Sequence, residues 1–164
     1  MKHTIAILLQ NESGALSRVA SMFSTRGYNI DSLSVAPTQD PMISRLTLVT
    51  EGSDEVIGQI IKQLYKLIDV IDVLDISKRD HIERELMMIK INAHPDKEEA
   101  IKTVFYDFSA TIVNDQDDLL IVEVMADTLK NDELLEALEG ISTLVAIART
   151  GPLALAKGAL KISL

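Results

Sequence analysis

One order of elements, strand-helix-strand-strand-helix-strand, can be read twice along this chain, and that repetition limits the fold more than any single motif does. In the first half, residues 4–10 read as a strand with Ile5, Ile7 and Leu9 on one side and Ala6 and Leu8 on the other. After the turn Asn11-Glu12-Ser13-Gly14, Leu16, Val19, Ala20 and Phe23 fall at i, i+3, i+4 and i+7, the spacing of one helix face, and Arg26-Gly27 ends that helix. Strands follow at 29–36 and 43–50, separated by a loop at 37–41. Gly52-Ser53-Asp54 then opens a second helix, with Val56, Ile57, Ile60, Ile61, Leu64 and Leu67 inside, and residues 70–76 close the set. The second half repeats the order. It has a strand at 85–92, a helix at 96–108 carrying Ile101, Val104, Phe105 and Phe108, a hairpin of 110–113 with 119–125, a helix capped by Thr128, and a strand at 143–148. The expected fold is α+β: two ferredoxin-like βαββαβ domains, at 1–78 and 79–164, each an antiparallel sheet with two helices on one face. Residues 151–164 receive no element. A sheet covered on one side should alternate apolar and polar residues, and the first strand does not, so its second face or its edge is expected to meet another subunit.

Charge supports a division and excludes some functions. The chain of 164 residues carries 16 basic and 25 acidic side chains, a net of −9. Residues 1–78 hold a net of −2 and residues 79–164 a net of −7, with the change near Ser77-Lys78-Arg79-Asp80. Such a chain is repelled by phosphate backbones, and with no Trp and few other aromatics it lacks base-stacking platforms, so nucleic acid is not an expected partner. The absence of Cys removes disulfides and thiolate chemistry. No apolar run approaches a membrane span and the N-terminus lacks the pattern of a signal peptide, so a cytoplasmic location is expected.

The loop Asn11-Glu12-Ser13-Gly14 sits where a strand ends and a helix begins. Ser13 or Asn11 can cap the helix, and Gly14 bares the first helical N–H groups, which with the helix dipole suit a carboxylate. The Asn11 amide can accept from an ammonium and donate to a carboxylate. The same residues also make an ordinary capped turn, and the loop by itself does not separate the two readings. Asn29 follows Gly27-Tyr28, where Asn is common turn chemistry, but a neighbouring subunit could bring it to the first loop. His81, Glu83 and Glu85 share a strand face and fit either a cation site or a charged, exposed edge. Asp115, Asp117 and Asp118 lie in a hairpin tip without the glycine and distal Glu of a calcium loop. Asp69, Asp72 and Asp75 do not converge. His3, His81 and His94 have no motif context, and no nucleophile, phosphate-loop or dinucleotide signature is present, so no catalytic site is expected.

Read together, Asn11-Glu12-Ser13-Gly14-Ala15-Leu16-Ser17-Arg18-Val19, Phe23, Arg26-Gly27-Tyr28-Asn29-Ile30-Asp31-Ser32-Leu33 and Ser44-Arg45-Leu46-Thr47 strongly resemble the regulatory small subunits of acetohydroxyacid (acetolactate) synthase. Lys62-Gln63-Leu64, Lys66-Leu67-Ile68-Asp69-Val70, Glu83-Arg84-Glu85-Leu86 and Ala148-Arg149-Thr150-Gly151 continue the match, which is dense over 3–78 and sparser beyond 92. The resemblance implies an N-terminal ACT domain that pairs side by side as a homodimer and binds a feedback effector, usually valine, at the dimer interface. By position it places Asn11, Gly14, Ala15 and Leu16 on the loop side of that site, Asn29 and Ile30 of the neighbouring chain opposite, and Ser13 and Ser17 at its flank. It further implies a large catalytic subunit, using thiamine diphosphate, Mg and FAD, that makes acetohydroxy acids for branched-chain amino-acid synthesis, with no cofactor in this chain. A free-standing ACT-type sensor acting on another protein is the alternative.

Overall fold

The computed structural model describes residues 1–159 and Ile162. Two compact units divide the chain: Met1–Ile82 together with the segment from Pro152 on, and Glu83–Gly151. The change of unit along the chain thus comes a few residues after the expected 78/79 boundary, and the C-terminal segment joins the first unit instead of the second.

The first unit contains β1 (Lys2–Gln10), α1 (Ala15–Thr25), β2 (Ser32–Pro37), β3 (Ile43–Glu51), α2 (Asp54–Leu64) and β4 (Val70–Asp75). Its strands lie in the order β2-β3-β1-β4, all antiparallel, with β2 on an edge. Ile5, Ile7, Leu46 and Leu48 on one sheet face meet Val19 and Phe23 of α1 and Ile57, Ile60 and Leu64 of α2 in a single core. The α1 stripe is rotated from the expected one. Ala15, Val19, Met22 and Phe23 are buried, whereas Leu16 and Ala20 face out. Gly27, at φ 70°, takes the left-handed turn that ends the helix. Ser53 caps α2 by accepting from the Val56 N–H. The second strand begins at Ser32 and not at 29, so Asn29 and Ile30 precede it.

The opposite face of β1 is not open to a second subunit. Ala6 and Leu8 are buried, and Ala6 packs with Ile76 and with Ala154 of a strand formed by the C-terminal segment. The Arg45 guanidinium, its pKa lowered by burial, donates to the Ala154 carbonyl at 2.9 Å, and Lys157 pairs with Asp80 at 3.0 Å. The chain thus covers its own first strand, which removes the reason for expecting a partner there. Deleting the chain from Pro152 onward uncovers Ala6 and Ile76. Burial of one such aliphatic side chain contributes about 1.5–3 kcal/mol, so the first unit should lose about that much stability. Calorimetric unfolding checks this: the deletion should lower the midpoint assigned to the first unit, and an unchanged midpoint would show that this segment does not support it.

The second unit is built from β5 (His81–Ala93), α3 (Glu98–Phe108), β6 (Thr111–Gln116), β7 (Leu119–Ala126), α4 (Thr128–Glu139) and β8 (Ser142–Arg149), with the C-terminal strand of the first unit numbered β9 (Leu153–Ala156). Strands β6-β7-β5-β8 run side by side in that order. Met87, Ile89, Ile91, Val122 and Val124 pack beneath Ile101, Phe105, Leu134 and Leu138. Asp127, not Thr128, caps α4, accepting from the Lys130 N–H at 2.9 Å. The β6–β7 hairpin is longer than expected because Asp117 and Asp118, at φ 56° and 61°, form a tight left-handed turn that short polar side chains tolerate. Glu85 is 3% exposed and lies in a central strand, so the expected charged edge at His81, Glu83 and Glu85 does not exist. Glu85 accepts both Nε and Nη2 of Arg149, at 3.0 and 2.6 Å, and the Asn131 amide at 3.1 Å. Arg149 also reaches Asp132 at 2.7 Å. Among the described residues no group of three His, Asp or Glu side chains can hold a metal ion, and no helix is long and apolar enough to cross a membrane.

Candidate functional site

The connection between β1 and α1 carries the arrangement the sequence pointed to, with different bonds. Gly14 occupies the cap position of α1 at φ 86° and ψ −8°, a backbone state that strongly favours glycine. Neither Ser13 nor Asn11 caps the helix: among the described residues no side chain does so. The Ala15 N–H closes a turn onto the Glu12 carbonyl at 3.1 Å, and the Arg18 N–H makes the first helical bond, to the Gly14 carbonyl at 2.9 Å. The Leu16 and Ser17 N–H groups lie between these, in the first turn, where an α-helix supplies no acceptor of its own. An anion can be received there.

Asn11 is a strut as well as a possible contact. Its backbone N–H donates to Met42 at 2.8 Å and its Nδ2 to the Pro41 carbonyl at 2.9 Å, tying the loop to the β2–β3 turn. One of its two amide hydrogens is therefore used, and Oδ1 is the atom that can accept from a donor such as an ammonium. Leu16 is 37% exposed and outside the core, so its side chain is available as an apolar wall. Ser13 and Ser17 are exposed, and Ala15 is buried beneath the loop.

Asn29 and Ile30 lie at the far end of the same sheet. The register pairs Gln10 with Ile43 at one end, and Thr4 with Val49 and Val49 with Ser32 at the other. Thr50 donates to the Asn29 carbonyl at 2.6 Å, and the Asn29 amide donates to Asp31 at 2.7 Å. Seven strand residues, roughly 23 Å at about 3.3 Å each, separate that end from the Asn11 loop. One chain does not bring the two sets together.

Two residues outside the expected set brace the loop, Arg18 from α1 and Asp69 from the segment just before β4. The Arg18 Nε and Nη2 donate to the two carboxylate oxygens of Asp69, the second at 2.9 Å, and Nη2 lies 3.5 Å from the Ser13 carbonyl. Asp69 is 5% exposed, and its carbonyl accepts the Gln10 N–H at 2.8 Å. The hydrogen bonds from Arg18 hold the Asp69 carboxyl below the usual carboxylate range. A group whose pKa is depressed in the folded state contributes stability that is complete above its unfolded value, near pH 4, and is lost as the pH falls through the lowered folded value. Asp69→Asn should therefore flatten the acid limb of the unfolding midpoint measured from pH 7 downward. A limb as steep as that of the unaltered chain would contradict the pair. Arg18 and Asp69 are 51 positions apart, and no local pattern links them.

The pattern of the AHAS small subunit-like ACT domain matches residues 5–72, and that of the small subunit of acetolactate synthase matches residues 84–158. The chain belongs to the acetolactate synthase small subunit family. It is 42% identical over 158 residues to the isozyme 3 small subunit of Salmonella typhimurium, covering 96% of this chain and 97% of that one. It is 43% identical over 160 residues to the probable small subunit of Archaeoglobus fulgidus, covering 96% and 98%. The crystal structure of the Thermotoga maritima small subunit superimposes with a TM-score of 0.86 at 31% identity, covering 98% of this chain and 99% of that one. The family places this chain as the regulatory subunit beside a catalytic large subunit and selects that reading over a free-standing sensor.

Proposed function

We propose that the β1–α1 loop binds free valine at a site completed by a second copy of the chain, and that its occupancy lowers the activity of the large subunit. The observation that carries this reading is the separation of the two halves of the site along one sheet. β2 is an edge strand whose middle, Leu33-Ser34-Val35-Ala36, has no charge and no proline to block pairing. Antiparallel pairing of two such edges about a two-fold axis lays the start of one β2 against the end of the other. The end of β2 pairs Pro37 with Ser44, which in turn faces Leu9. That is the end bearing the Asn11 loop. The pairing thus brings Asn29 and Ile30 of one copy toward Asn11, Gly14, Ala15 and Leu16 of the other, and symmetry makes two such sites per dimer.

Each part of a small aliphatic amino acid then has a counterpart. The Leu16 and Ser17 N–H groups receive the carboxylate, the Asn11 Oδ1 the ammonium, and Leu16 with Ile30 of the second copy the isopropyl group. Apolar burial of a side chain this small is worth about 1.5–3 kcal/mol, and one methylene about 1–3 kcal/mol, so leucine and isoleucine are expected to bind more weakly without being excluded. Inhibition requires that valine bind one quaternary arrangement better than another. Thiamine diphosphate, Mg and FAD belong in this reading to the large subunit, and the assembly works in the cytoplasm.

Calorimetric titration of the intact small subunit with valine, leucine and isoleucine tests the reading. One valine per chain, bound more tightly than the other two, is expected. No saturable binding at millimolar valine overturns it.

A further inference from the structure

We infer that Arg18 is a specificity-determining residue of this site: its Nη1 supplies the donor that selects a free carboxylate over an uncharged amide. The inference rests on the assignment of the β1–α1 loop as the effector site.

The guanidinium has five N–H groups in a fixed plane, and Asp69 uses the edge formed by Nε and Nη2. Nη1 is left over and has no partner among the described residues. Its position is specific. A Cβ built on Gly14 would lie 2.9 Å from Nη1, so this nitrogen stands against the bare side of the glycine that opens α1. The Ala15 N–H is consumed by the turn to Glu12, which leaves Leu16 and Ser17 as the backbone donors of the first turn. A carboxylate offers about four lone-pair directions, more than those two N–H groups fill. Arg18 is the one cationic side chain between Gln10 and Val19.

Asp69 fixes this geometry. It is buried, its carbonyl is bonded to the Gln10 N–H at the end of β1, and it grips the guanidinium side-on. Nη1 is therefore held relative to the strand from which the loop departs. The ion pair also cancels the net charge, so Arg18 acts through the direction of its hydrogen bonds. Lysine, a point charge without the fork, does not replace it.

The experiment compares valine with valinamide, which keeps the side chain and ammonium but has no carboxylate. Both are titrated into the intact small subunit carrying Arg18, Arg18→Lys or Arg18→Gln, with circular dichroism confirming the fold of each. The unaltered chain should favour valine, and Arg18→Lys should reduce the ratio of the two dissociation constants about tenfold. Arg18→Gln, which removes the fork and its charge together, should reduce the ratio at least as much and serves if Arg18→Lys does not fold. If both variants weaken the two ligands by the same factor, or change neither, Arg18 only supports the loop and the inference falls while the site stands. If the unaltered chain binds no valine, the site assignment fails and the inference fails with it.

Discussion

Gly14→Asp, combined with the large subunit, is expected to abolish the valine response: inhibition should require at least about 100-fold more valine, equivalent to about 2.7 kcal/mol. Three effects act in the same direction. The backbone at φ 86° lies in the left-handed region, which Asp enters at a cost of about 1–2 kcal/mol. The new Cβ meets the Arg18 Nη1 at 2.9 Å, and that guanidinium cannot swing away without releasing Asp69. The added carboxylate also sits at the opening of α1, where it competes for the N–H groups proposed to receive the effector. Gly14→Asn separates the contributions, since Asn is similar in size, tolerates the same backbone and carries no charge. It should leave a weakened but measurable response. A full, unshifted inhibition curve from Gly14→Asp would remove the loop from consideration as the effector site.

The second large effect is structural. Arg149→Ala should destabilise the second unit by about 3–5 kcal/mol, because it leaves the Glu85 carboxylate buried without its counter-charge. Glu85 would keep only the Asn131 amide, and its carboxylate would be left short of hydrogen-bond donors in a buried place. For a unit of this size each kcal/mol moves the unfolding midpoint by about 4–8 °C. The double variant Arg149→Met with Glu85→Gln should recover much of the loss, since an uncharged pair carries a smaller desolvation penalty than one orphaned ion. Thermal unfolding of the intact chain, followed by near-ultraviolet circular dichroism, reads both. A midpoint for Arg149→Ala within a degree or two of the unaltered value would mean that Glu85 is not buried as described.

The same place in the first unit carries an opposite arrangement of charges. Ile5 pairs with Asp75 as Met87 pairs with Arg149, and two residues earlier along each central strand stand His3 and Glu85. His3 is fully buried and its Nδ1 lies 3.1 Å from Asp75. One position thus holds imidazole with carboxylate in one unit and carboxylate with guanidinium in the other. The repeat preserves the location of a polar pair while exchanging which strand supplies the acid.

Element order was legible because hydrophobic periodicity is local: both βαββαβ patterns and the stripe of α2 followed from spacing alone. The misplacements have equally physical causes. The α1 stripe was rotated because Ala15, Leu16, Ala20 and Met22 are all acceptable core residues, and periodicity does not choose between overlapping apolar faces. Residues 29–31 extend β2 by composition, but Asn29 bonds to Asp31 and Thr50 and stays outside the ladder. Thr128 and Asp127 are both good caps, and only the geometry chooses Asp127. The second apolar face of β1 was legible as buried. What covers it was not, because Ala154 lies far away in sequence. The candidate loop was found from its strand-turn-helix grammar, but Arg18–Asp69 and Glu85–Arg149, 51 and 64 positions apart, leave no local trace.

The return of β9 to the first unit has a consequence for how the chain emerges from a ribosome. The segment from Pro152 follows the whole of Glu83–Gly151, and at about 5–20 residues per second it is made roughly 4–15 s after the last residue of the strands it covers. At the end of that interval the later half has every residue it requires, while Ala6 and Ile76 still lack their lid. The module that begins synthesis first is therefore finished last, and a nascent chain arrested before Pro152 should be bound by holdase chaperones through its earliest strand.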